Sequence, residues 1–127
     1  MKYIVETDKS VDQAVADVET AAKDHSFGVL HIHDLQQTMK NKGVDFSNAC
    51  QVLEICNPHK AYAVLTADMS MNLALPCRVS VYTENGQTKI GMIKPAAMLS
   101  MLSDSSELMA VAQEVEETTM AIIDQAK

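Results

Sequence analysis

Hydrophobic and polar positions change their period along the chain, and each period predicts one kind of element. Five short runs rich in β-branched and other apolar residues predict strands, at residues 3–7, 27–33, 50–56, 73–83 and 87–93. Apolar positions spaced three and four apart predict helices at residues 11–24, after Asp34, at residues 58–68 and after Asp104. The elements together predict one α+β domain over residues 1–127, with helices packed on a single mixed or antiparallel sheet of about five strands.

Two of the predicted helices begin at recognisable capping residues. Ser10 lies three residues before Gln13, which is the spacing of a capping box. Asn57 precedes Pro58, an order that suits an N-cap followed by the first helical position. These residues predict where the first and third helices start.

The dipeptide Asn85-Gly86 predicts a tight hairpin, because both residues tolerate the positive φ of a two-residue turn. Counting outwards from the turn puts these residues opposite each other: Glu84 and Gln87, Tyr82 and Lys89, Val81 and Ile90, Val79 and Met92, Cys77 and Lys94. Strand alternation then predicts one buried face, made of Val79, Val81, Ile90 and Met92.

The C-terminal helix carries one regular apolar stripe, formed by Leu108, Val111, Val115, Thr118 and Ile122. Two interpretations stay open at this point. The stripe packs on the sheet of its own chain, or part of it meets a second subunit in a helix–helix seam.

Composition excludes several classes of protein. No apolar run approaches the roughly 20 residues that a transmembrane helix needs, so we expect no membrane contact. The chain has 17 acidic against 10 basic residues and a net charge of −7, so nucleic acid is not an expected partner. The first residues lack the apolar core of a secretory signal, which favours a cytoplasmic location.

Two cysteines are candidates for chemistry. Cys56 ends a predicted strand at the start of a helix, where the free N–H groups and the helix dipole favour a thiolate. If Lys94 lies opposite Cys77, it adds positive potential there together with Arg78. The pair is then a reactive or ligand-binding thiol pair, or else two small buried residues where strand meets helix.

Three histidines are candidates for a metal site. His31 and His33 are two apart in a predicted strand, so their side chains leave the same face. His59, just after Pro58, is a candidate third nitrogen ligand. Exposed strand histidines explain the pattern at least as well.

Several short motifs resemble one known family. They are ICNP at residues 55–58 with Ala61 and Leu65, LPC at residues 75–77, FGVL at residues 27–30 and GVDF at residues 43–46. This combination resembles the uncharacterised family called domain of unknown function 302 and covers most of the chain. The resemblance implies a compact α+β domain with one sheet covered by helices, and a dimer. It implies no established activity and no cofactor.

We therefore expect a homodimeric module that binds a small molecule or a metal-associated ligand. The expected site lies near Cys56, Asn57 and Cys77, with Arg78 and Lys94 as further candidate contacts, because the two motif segments meet at turns on a rigid scaffold. Two alternatives remain. One is a thiol-based enzyme or redox carrier that uses Cys56 and Cys77, and the other is a purely structural interaction module.

Overall fold

The computed structural model describes all residues, 1–127, as one α+β unit. Its strands are β1 (Lys2–Thr7), β2 (Gly28–Asp34), β3 (Cys50–Cys56), β4 (Cys77–Glu84) and β5 (Gln87–Ile93). Its helices are α1 (Val11–Asp24), α2 (Leu35–Asn41), α3 (Pro58–Ala67), α4 (Pro95–Ser100) and α5 (Ser106–Ala126), with a 3-10 helix at Met69–Ala74. None of these helices has the length and hydropathy that crossing a membrane requires.

The five strands form one sheet in the order β1-β5-β4-β3-β2, and every neighbouring pair is antiparallel. This confirms the predicted α+β class with a single sheet. An irregularity at Leu30 in β2 places Val29 opposite Ile55 and Ile32 opposite Leu53. The extra residue therefore lets two apolar side chains three positions apart face the same core.

Side-chain caps fix the helix starts as the sequence indicates. The Ser10 hydroxyl accepts a hydrogen bond from the backbone N–H of Gln13 at the start of α1. The Asn57 side chain accepts from the first turn of α3, whose first residue is Pro58. At α5 the cap is Ser105 rather than Asp104, so the helix starts one residue later than predicted.

The predicted hairpin is confirmed at its turn. Asn85 and Gly86 both have positive φ, 53° and 78°, as a two-residue turn of this kind requires. The pairing between β4 and β5 runs outwards from there and ends at Ser80 and Gly91, although both strands continue. Beyond that point β5 pairs only with β1, and β4 only with β3. Strands β4 and β5 therefore separate at this end of the sheet.

Three sequence expectations need correction in this region. Val79 does not pair with Met92, nor Cys77 with Lys94, because the β4–β5 ladder ends at Ser80 and Gly91. On β3, Val79 is paired with Leu53 and Cys77 with Ile55. Residues 73–76 do not belong to β4, because the 3-10 helix extends to Ala74 and the strand starts at Cys77. The short helix α4 after β5 is an additional element that the sequence pattern did not predict.

The main core lies on one face of the sheet, beneath α1 and α5. As predicted, Val79, Val81, Ile90 and Met92 are all buried there. The stripe of α5 packs inside its own chain, since these residues of the helix are buried: Leu108, Ala112, Val115, Thr119, Ile122, Ile123 and Ala126. Of the predicted stripe, Leu108, Val115 and Ile122 are thus buried within the chain, whereas Val111 and Thr118 are partly buried.

A smaller core lies beside the main one. It is built from α3, the 3-10 helix, α4 and the first half of α5, and its buried residues are Val64, Met71, Ala96, Leu99, Leu108 and Ala112. The opposite face of the sheet stays uncovered over β1, β5 and β4. These two features position the candidate site.

Candidate functional site

A cavity of about 300 Å³ lies at the end of the sheet where β3 ends and β4 begins. We call it the end cavity; it is bounded by Cys56, Asn57 and Cys77 at the strand ends and by side chains of α3 and α5. Its volume is at the lower limit of small-molecule sites, which commonly span about 300–1,000 Å³.

The end cavity lies between the two cores. The main core contributes Phe27, Ile55 and Val115 to its wall, and the smaller core contributes Val64, Leu99 and Ala112. Aliphatic and aromatic carbon therefore surrounds most of the space. No buried side-chain nitrogen or oxygen of the protein lacks a hydrogen-bond partner. The cavity thus has the chemistry of a site for an apolar molecule.

The polar groups at the mouth of the end cavity are already engaged. The Oδ1 atom of Asn57 accepts hydrogen bonds from the backbone N–H groups of His59 and Lys60, at 3.0 and 3.2 Å. Lys60 forms an ion pair with Glu114 of α5. Asn57 therefore shapes the wall as a helix cap, and the sequence prediction that it lies at the site is consistent with its place there.

Both candidate thiols line the end cavity, and both are free. Desolvation raises the pKa of Cys77 to about 11, and electrostatic interaction with Cys56 acts in the same direction. A thiol with such a pKa stays protonated near neutral pH, so Cys77 lacks the thiolate that nucleophilic or redox chemistry needs. This geometry favours the interpretation of Cys77 as a small packing residue.

The two candidate cations lie elsewhere. Arg78 follows Cys77 in β4, and strand alternation turns its side chain to the uncovered face of the sheet. Lys94 precedes α4, where its backbone N–H donates to the carbonyl of Met1 at 2.7 Å. Neither residue lines the end cavity.

A second hollow of about 880 Å³ runs over the uncovered face. We call it the sheet-face trough. Polar side chains on its floor are Lys2, His33, Glu54, Arg78, Ser80 and Tyr82, and apolar side chains on its sides include Ile4, Leu35, Leu73, Ile93 and Met98. The trough and the end cavity share five residues of one wall, which are Leu75, Pro76, Cys77, Pro95 and Leu99.

The histidines are not assembled into a metal centre. His31 and His33 do leave the same face, with ring centroids 4.3 Å apart. The Nε2 atom of His33 lies 2.7 Å from a carboxylate oxygen of Glu54, and this hydrogen bond lowers the pKa of Glu54. His59 is exposed on the first turn of α3. No group of three or more His, Cys, Asp or Glu side chains is arranged to hold a metal ion.

Sequence reasoning missed the part of the wall that α4 supplies. Pro95 and Leu99 border both hollows, yet the sequence pattern predicted no element at residues 95–100. A signal was available, because Pro95 stands at the first helical position of α4 as Pro58 does in α3. The α3 and α5 residues of the wall could not be assigned to the site from the sequence, because only tertiary packing decides which core they join.

The fold and the site define a class: an antiparallel five-stranded α+β domain with an apolar cavity at the strand ends. The model of the domain of unknown function DUF302 matches residues 3–126. This chain therefore belongs to the DUF302 family, as its motifs predicted. No curated protein matches it significantly.

One similar solved structure is a crystal structure of an uncharacterized conserved DUF302 protein from Bacillus stearothermophilus. It shares 33% sequence identity with this chain, with a TM-score of 0.94, and the match covers 99% of this chain and 98% of the other. The whole fold described above is thus common to the two proteins.

Proposed function

We propose that this protein is a binding module that takes a small apolar molecule into the end cavity. The observation that carries the proposal is the cavity itself, since a half-open hollow of about 300 Å³ between two cores is far larger than a packing defect. The residues that line it come from the ICNP and LPC motifs as well as from α5. A preformed apolar space binds by removing the apolar surface of a ligand from water.

Thiol chemistry is the weaker candidate for the same site. Its requirement is a stabilised thiolate, and desolvation acts against a thiolate at Cys77. The function we propose therefore uses the two cysteines as part of an apolar wall.

Filling the end cavity tests the proposal. Ala61 lies on its wall in α3, so Ala61→Leu adds apolar volume inside the space. With the neutral dye N-phenylnaphthylamine as probe, we expect fluorescence titration to show binding to the wild type. We expect Ala61→Leu to weaken it about fivefold or more, equivalent to roughly 1 kcal/mol.

Ala110→Leu is the matched control, because Ala110 is an exposed residue of α5 outside the cavity. It adds the same side-chain atoms to a helix and should leave the dye affinity unchanged. Failure of the wild type to bind the dye, or equal weakening by both variants, would contradict the proposal.

We further propose that the module is a homodimer. Exposed apolar side chains collect around the edge strand β2 and the helix that follows it, and they are Leu30, Leu35, Val44 and Phe46. Exposed apolar surface of this kind marks interaction sites in soluble proteins. A second copy of the chain would cover it.

Sedimentation velocity at micromolar concentration tests the dimer. We expect the wild type to sediment as two chains and Phe46→Ser to shift the population towards one chain. Leu102→Ser is the control, because Leu102 is 55% exposed, lies between α4 and α5 and lines neither hollow. A wild type that sediments as a single chain would refute the dimer while leaving the cavity proposal intact.

A further inference from the structure

The one arginine of the chain, Arg78, lies in the sheet-face trough without a salt bridge. Arg78 lines the trough, and its guanidinium takes part in none of the four salt bridges of the protein. Glu54 lies directly opposite on β3, but its carboxylate is engaged by His33 at 2.7 Å. The charge of Arg78 helps to lower the pKa of Glu54, but its guanidinium forms no salt bridge and lies on the floor of a concave surface.

The charge around Arg78 contrasts with the rest of the molecule. The protein has a net charge of −7, so its surface as a whole repels anions. The trough nevertheless brings Lys2 to the same floor as Arg78, with Glu54 as the carboxylate among its lining residues. A guanidinium presents several N–H donors in a planar fork that matches carboxylate, sulfonate and phosphate oxygens.

The end cavity and the trough meet along one wall that lines both hollows. The wall consists of the residues that both hollows share, including Pro76 and Cys77, and Arg78 is the next residue in the chain. The parting of β4 from β5 beyond Ser80 and Gly91 gives this end of the sheet its open shape. A ligand that reaches past these shared residues would place an apolar body in the end cavity and a charged group beside Arg78 in the trough.

We infer that the ligand of this module is an amphipathic organic anion, whose charged group is bound by Arg78 with support from Lys2. This inference rests on the proposed function, because it assigns the ligand class of the same site. The apolar body supplies the free energy of burial, and the guanidinium selects the anion over a neutral molecule of the same shape.

Two dyes of matched skeleton separate the two contributions. Anilinonaphthalene sulfonate carries a negative group, whereas N-phenylnaphthylamine is its uncharged counterpart. With the purified full chain we expect Arg78→Gln to weaken the sulfonate about fivefold, or roughly 1 kcal/mol, and to leave the neutral dye unchanged. Added salt should weaken only the sulfonate, because it screens the charge interaction.

Lys23→Gln is the control, since it removes one positive charge from an exposed site on α1 that lines neither hollow. It should affect neither dye. Competition by decanoate, compared with decanol, repeats the test with a carboxylate.

The outcomes distinguish this inference from the function on which it rests. If the neutral dye binds and Arg78→Gln weakens both dyes equally or neither, the anion inference is overturned and the cavity proposal stands. If only the sulfonate binds, and Arg78→Gln weakens it, the anion site stands without the apolar cavity. If the wild type binds neither dye, both are overturned.

Discussion

Cys77 is expected to react with iodoacetamide about tenfold more slowly in the folded protein than in the unfolded chain at about pH 8. Desolvation raises the pKa of its thiol from 9.0 to about 11, so the thiolate fraction falls about a hundredfold. The more basic thiolate is the better nucleophile, which offsets roughly tenfold of that loss. The net result is the roughly tenfold slower reaction that we expect. Restricted access to the thiol within the wall slows the reaction further.

Mass spectrometry of the peptide that contains Cys77 measures this rate, and the same chain in guanidinium chloride is the control. The direction of the pH dependence follows from the raised pKa. In the folded protein the rate should continue to rise beyond pH 9.0, where an unperturbed thiol levels off, until about pH 11. Equal rates in the folded and unfolded chains would restore the thiol-enzyme interpretation and weaken the proposal of an apolar wall.

Replacing Leu53 by alanine is expected to lower the free energy of unfolding by about 3 kcal/mol, which is roughly a hundredfold in the equilibrium constant. Leu53 is fully buried in β3, next to the central strand β4 of the sheet, within the main core. Truncation removes its transfer free energy and leaves a cavity that the surrounding sheet and helices fill only in part.

Urea denaturation measures the change through the midpoint, with an unchanged slope as evidence that the same unfolding is compared. Leu73→Ala is the matched control, because the same atoms are removed from a side chain that is 87% exposed. We expect that variant to lie within about 0.5 kcal/mol of the wild type. A similar cost for both variants would show that Leu53 does not occupy the core as described.

The cavity and the trough also explain why the site was harder to predict than the fold. Cys56, Asn57 and Cys77 were predicted correctly as neighbours at one end of the sheet, because strand ends and helix starts can be located from sequence. Arg78 was added to this group because it follows Cys77 in the chain, and Lys94 by counting register outwards from the hairpin. That count fails where β4 and β5 part, because no local sequence signal marks the last residue of a ladder.

The sequence by itself determined the five strands, four of the five helices and the faces that β4 and β5 bury. Alternation in β4 and β5, the caps at Ser10 and Asn57, and the positive φ that Asn85-Gly86 tolerates are local properties, so each can be predicted from a few neighbouring residues. The apolar stripe of α5 could also be predicted from the sequence, but the surface that it packs against could not.

Only the tertiary structure decided which surfaces meet. It placed the stripe of α5 against its own sheet, separated a small core from the main one, and left the end cavity between them. Strand alternation puts Cys77 and Arg78 on opposite faces, but only the tertiary packing made one face a desolvated wall and left the other as an open trough. These outcomes depend on contacts between residues far apart in the chain, and the free energy of such contacts has no signature in a local pattern.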